Sequence, residues 1–249
     1  MSSPSQPAEP LSLPHEPGAV RFDWQAQLQL GCLELDQHHL CEALRRFDRA
    51  CVLNRDAGIA WFYYGLTSFR MGMFTDAVEA LERAEFCGFK TALSAQTRGD
   101  ASYNLEHYEE ARLAYQTALQ REPDNPALRA RLGLAMVRSG YPEKGLAKLK
   151  SDLLATPAAP ELYEGLILSY VFLDRIPEAA DAAQQRLTAV PDTYPADYLR
   201  AAALCQEIRQ HTRALTILQQ GLHAHPQDQD LQQALHDARL HPSFSLQNS

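Results

Sequence analysis

A chain of 249 residues, 45% of them apolar and 22% charged, can bury a sizeable core as one large domain or two ordinary ones. Its formal net charge of −8 offers no attraction to phosphate backbones or anionic membranes, which sets nucleic acid aside as a partner. No run of about 18 apolar residues occurs, so no membrane span is expected.

The first stretch, MSSPSQPAEPLSLPHEPGAV, carries five prolines in seventeen residues. It lacks the basic stretch followed by an apolar one that marks a secretory signal. Residues 1–22 are expected to be a flexible Pro-rich leader, because Pro has no amide hydrogen and the segment has little apolar surface to bury. Phe22 is placed to pack against Trp24. The five cysteines, at 32, 41, 51, 87 and 205, are odd in number and show no CxxC spacing. Reduced thiols and a cytoplasmic location are the expectation.

From residue 24 onward the chain repeats. Gly31, Gly65, Gly99 and Gly133 stand 34 residues apart. Twelve positions beyond each come Ala43, Ala77, Ala111 and Gly145, and the series continues at Ala179 and, after a one-residue slip, at Ala214. Four positions further are Phe47, Leu81, Tyr115, Leu149, Ala183 and Leu218. Small residues follow at Ala50, Ala84, Ala118 and Gly221, a column that Asp152 and Arg186 break. Prolines at 123, 157, 191 and 226 close the later units, where the first two have Arg55 and Phe89.

Six units result: 24–57, 58–91, 92–125, 126–159, 160–193 and 195–228. Each is predicted to be a pair of helices. A small residue in the middle of the first helix lets the second approach closely, and the alanine and large columns share one face at i, i+4 and i+7. Proline ends the second helix. Thus 106–122 is predicted to be the second helix of the third unit, and Pro-Asp-Asn-Pro the hinge to the fourth. Residues 229–239 then cap the last unit, with Leu231, Ala234, Leu235 and Ala238 on one side and polar groups on the other. Residues 240–249 are expected to be a flexible tail.

These columns together resemble the tetratricopeptide repeat, whose pattern is W-x2-L-G-x2-Y, A-x3-F-x2-A, P. Trp61, Gly65, Ala77, Leu81 and Ala84 carry the resemblance in the second unit, and Gly99, Ala111, Tyr115, Ala118 and Pro123 in the third. It implies an all-α fold, a right-handed α-α superhelix (solenoid) of antiparallel helix pairs over residues 23–239. It also implies that positions two, five, nine and twelve of each unit line a concave face. Those positions hold Ile59, Phe62, Leu66 and Phe69; Leu93, Gln96, Asp100 and Tyr103; Ala127, Ala130, Leu134 and Val137; Glu161, Glu164, Leu168 and Val171. The competing reading of such residues is core between neighbouring first helices.

The expected ligand-binding set, across units two to four, is Phe62, Tyr63, Leu66, Phe69, Gln96, Asp100, Tyr103, Arg131 and Leu134. It favours an apolar or aromatic segment, with Arg70 and Arg131 set against Asp100 and Glu161 to orient it. Two specialisations known in the family do not fit. The Lys/Asn clamp for a terminal carboxylate meets Leu28, Cys32 and Tyr63. The asparagine ladder of sugar-transferring relatives meets Gln29, Tyr63, Thr97, Arg131, Gly165 and Arg200.

Catalysis and metal binding find little support. His38 and His39 fall in a turn, and adjacent residues diverge rather than converge on a metal. His223 and His225 close a helix and complement its dipole. No GxxxxGK[ST], GxGxxG or GxSxG occurs, so no cofactor and no enzymatic activity are expected. The leading function is a scaffold that binds a protein or peptide partner in an apolar groove. The alternative is a self-associating or regulatory subunit, a homodimer included, that controls a separately encoded enzyme.

Overall fold

The computed structural model describes residues 23–240. The expected leader, Phe22 with it, and the tail beyond Leu240 lie outside the described residues.

The described residues form thirteen α-helices and no strand. The pairs are α1 (Trp24–Asp36) with α2 (Leu40–Leu53), α3 (Gly58–Arg70) with α4 (Phe74–Phe86), and α5 (Ala92–Asn104) with α6 (Tyr108–Leu119). They continue with α7 (Pro126–Arg138) and α8 (Pro142–Ala155), α9 (Pro160–Phe172) and α10 (Ile176–Ala189), and α11 (Pro195–Glu207) and α12 (His211–Ala224). Helix α13 (Gln229–Leu240) lies against α12 and α11, and it includes Leu240, which the sequence assigned to the tail. Each helix packs mainly on its neighbours in sequence, the one-dimensional contact pattern of an all-α repeat solenoid.

The glycine column works by steric exclusion. A Cβ placed on Gly133 would meet Leu149 Cγ at 2.4 Å, and one on Gly31 would meet the Phe47 ring at 2.5 Å. Only a bare backbone lets the large residue of the second helix reach the first. The fifth unit inverts the pair: Ile167 occupies the glycine position and Ala183 the large one, both buried. The sixth is intermediate, with Ala202 and Leu218.

All six turns inside the pairs close in one way. His38, Gly72, Glu106, Gly140, Asp174 and Arg209 have φ between 57° and 91°, the left-handed region. The next amide reaches back over the helix end: Met73 N–H donates to the Ser68 carbonyl at 2.9 Å, His107 to Ser102 at 2.9 Å and Gln210 to Cys205 at 2.8 Å. Between pairs, Pro123, Pro157, Pro191 and Pro226 follow the helix ends. Where Phe89 replaces proline, Gly88 adopts φ 86° and Phe89 N–H donates to the Ala84 carbonyl at 2.9 Å. Side chains of Asp23, Thr91, Asn125 and Asp228 cap the helices that follow them. All five cysteines are free thiols. No described helix is long and apolar enough to cross a membrane.

Candidate ligand-binding site

One joint in the array differs from the rest. Neighbouring first helices otherwise barely touch, yet α7 lies directly along α9. Gly165 explains the approach, because a Cβ there would stand 3.2 Å from both the Cβ and the carbonyl oxygen of Ala130. Helix α9 is also apolar on nearly every side (PELYEGLILSYVF), so it buries Leu162, Leu166 and Ile167 while leaving Leu168, Val171 and Phe172 exposed. Between the two helices is a hollow of about 220 Å³, lined by Ala127, Ala130, Arg131 and Leu134 of α7 and Glu161, Glu164, Gly165 and Leu168 of α9.

The charges at its walls are mostly neutralised within the chain. Arg131 Nε lies 3.0 Å from Asp100 Oδ1, which also accepts from the Tyr115 hydroxyl at 2.8 Å. Burial pushes the Asp100 carboxyl above its ordinary range, against the pull of Arg131 and the hydrogen bonds from Tyr115 and Gln96. Burial and the Asp100 carboxylate in turn push the Tyr115 hydroxyl up. On the other wall Arg200 donates to Glu164 at 2.5 Å. Glu161 is exposed, with no ion pair among the described residues.

At the far end of α7 and α9, Arg138 lies 4.3 Å from the centre of the Phe172 ring and 4.7 Å from that of Tyr108. Its Nη2 donates to the Tyr108 hydroxyl at 2.6 Å, and Tyr103 packs edge-on against Tyr108. This guanidinium ties three consecutive units together, with Phe172 left half in solvent.

The residues expected from spacing therefore divide. Arg131 and Leu134 line the hollow, and Gln96 and Asp100 belong to the polar cluster that holds Arg131. Tyr103 joins the Arg138 cluster. Phe62 is only 6% exposed, covered by Phe89 at 4.9 Å between ring centres and by Tyr63. Tyr63 stacks on Phe47 at 5.4 Å, Leu66 packs beside the Phe62–Leu81–Ala84 cluster, and Phe69 meets Phe74. These four lie away from the hollow. Arg138 and Phe172 were not singled out by sequence reasoning; the near-uniform apolarity of α9 was the available signal. His39 Nδ1 lies 2.9 Å from Glu34, and His225 Nε2 lies 3.0 Å from the Thr193 carbonyl.

Comparison with known proteins fits this architecture. A family model described as "Tetratricopeptide repeat" matches residues 28–89, and one described as "TPR repeat" matches 99–140. No curated protein sequence matches the chain. Among solved structures, a tetratricopeptide repeat protein from Parabacteroides merdae superposes with a TM-score of 0.64 at 14% identity, covering 89% of this chain and 86% of that one. YrrB, described as a TPR protein with an unusual peptide-binding site, gives 0.58 at 18% identity over 68% of this chain and 88% of its own. PilF of Pseudomonas aeruginosa gives 0.57 at 16% identity over 86% and 97%. The two matched segments and the 34-residue helix pairs thus have one explanation: the chain is a tetratricopeptide repeat protein.

Proposed function

We propose that this chain is a non-enzymatic interaction scaffold that takes an apolar side chain of a protein or peptide partner into the hollow between α7 and α9. The observation that carries the reading is the combination of an open apolar floor, Ala130, Leu134, Gly165 and Leu168, with walls whose Arg131 and Glu164 are already paired. Such a floor gains from desolvation, and the pre-paired walls need no rearrangement when a ligand arrives. YrrB, a structural relative, is described as having a peptide-binding site, which supports the same use of the fold.

Random peptides displayed on phage and selected on the full chain test the reading. Selected peptides should share one aliphatic or aromatic anchor. Leu134→Glu and Leu168→Glu should each weaken the best of them at least tenfold, about 1.4 kcal/mol, while the circular dichroism stays helical. Phe62→Ala would report on the core instead, since Phe62 is buried. Arg131→Ala should matter less. If the arginine change abolishes binding and the leucine changes do not, the ligand is anionic and the reading is wrong. A concentration-dependent dimer that Leu168→Glu dissolves would assign the hollow to self-association instead.

A further inference from the structure

The joint that draws α7 onto α9 has a consequence on the opposite side. There α8 makes less contact with α9 than any other second helix makes with the helix that follows it. A groove of about 690 Å³ opens between α8 and α10 over the body of α9. That volume lies within the roughly 300–1,000 Å³ typical of small-ligand sites.

The groove has two unlike ends. Toward the C-terminus of α8 its walls are Leu153, Leu154, Pro157 and Tyr163, with Leu154 85% exposed. The Tyr163 hydroxyl is pushed up by burial alone. At the other end Tyr170 lies between two cations, the Lys150 ammonium 5.6 Å and the Arg175 guanidinium 5.1 Å from its ring centre. Two carboxylates line the groove, and each has its own cation: Glu178 accepts from Arg175 at 2.8 Å, and Asp181 lies 2.8 Å from Arg213. Lys150 is the one cation in the lining; it has no carboxylate within ion-pair distance among the described residues, and its charge acts on Glu178 across the groove. From Tyr163 to Tyr170 the distance along α9 is about 10 Å at 1.5 Å per residue.

We infer that this outer groove binds a small amphipathic anion, its carboxylate at Lys150 beside Tyr170 and its aliphatic body between Leu153, Leu154 and Tyr163. The site is separate from the inner hollow, and α9 is the wall they share.

Titration calorimetry of the full chain with decanoate, decanol and decylamine, each below its micelle concentration, tests the inference. Decanoate should bind at least about tenfold more tightly than decylamine. Lys150→Glu should remove that preference and leave decanol unchanged. Leu154→Asp, at an exposed position that folding tolerates, should weaken decanoate and decanol alike. Leu168→Glu, on the inner face, should leave decanoate binding as it is. Decanoate no tighter than decylamine, indifference to Lys150→Glu, or loss of binding with Leu168→Glu would each overturn the site.

Discussion

The two halves of the array solve the same packing problem differently. From α1 to one face of α7 the buried residues fall into small clusters around Phe47, Phe62 and Tyr115, the last reaching Leu128, Leu132 and Ala135 of α7. From α7 to α13 a single apolar core runs without interruption from Ala130 to Leu235. The number of buried hydroxyls contributes to the difference. Helices α3 and α5 bury Thr67, Ser68, Ser94, Thr97 and Ser102, and Thr67 and Thr97 donate back to their own helices at 2.8 Å. At the places of Ser94 and Ser102 α9 has Leu162 and Tyr170, both buried, and it keeps one buried hydroxyl, Ser169, which donates to its own helix at 2.7 Å. Hydroxyls that bond locally do not bridge neighbouring units, whereas leucine and tyrosine do. The lesson is that one repeat can give either nearly independent modules or one cooperative block, depending on a few residues per first helix.

Removing α13 puts the largest stress on this contrast. Truncation at Asp228 takes away Leu231 and Leu235, each worth about 1.5–3 kcal/mol when fully buried, and uncovers Leu218 and Gly221 beneath. Hydrogen exchange should rise most in α12 and α11 and progressively less toward α7, with α1 to α6 unchanged. Equal loss of protection across all pairs would mean that the two halves share one core after all.

A single cavity in each half comes next. Ile167→Ala and Leu81→Ala remove buried branched side chains, and each should cost about 2–5 kcal/mol. Their reach should differ. Ile167 sits in the continuous block, so exchange should rise from α7 to α12; Leu81 sits in a three-residue cluster, so the rise should be confined to α3 and α4. Identical footprints would remove the basis for calling the halves different.

Glycines of α7 and α9 give a third, smaller test. Gly133→Ala forces a methyl to within 2.4 Å of Leu149 and should cost about 1–3 kcal/mol through overpacking. Gly165→Ala, whose new Cβ meets its neighbours at 3.2 Å, should cost less and act mainly by separating α7 from α9. Thermal melts of the two variants would rank them, and Gly165→Ala melting first would reverse the argument.

The glycine column shows how much the sequence could reveal. Four glycines at one period, each followed sixteen residues later by a large side chain, state the packing rule directly. The site was less legible. Spacing places Phe62 and Leu134 on equivalent faces, and it is blind to Phe89, which replaces the unit-ending proline and folds its ring over Phe62. Nor does spacing say how near two first helices stand. That depends on Gly165 meeting Ala130 across a joint, a contact between residues 35 apart that no single-helix pattern encodes.

The smallest effects should come from the turns, where both halves behave alike. Glu106 in the first half and Arg209 in the second hold φ at 63° and 59°, a conformation that costs a residue with a Cβ about 1–2 kcal/mol relative to glycine. Neither side chain is buried. Glycine in the unfolded chain has more freedom to lose, roughly 0.5–1 kcal/mol, which offsets part of the relief. Glu106→Gly and Arg209→Gly should therefore each stabilise by up to about 1 kcal/mol. Gly72→Ala and Gly140→Ala, at the same turn position with φ 77° and 91° and nothing within 4 Å of an added Cβ, should destabilise by a similar amount from backbone strain alone. Urea melts of the four variants need only give two signs. If the alanine changes stabilise, or the glycine changes cost more than the unfolded-state entropy allows, the left-handed residue is not what closes these turns, and the six-fold match of backbone geometry has another cause.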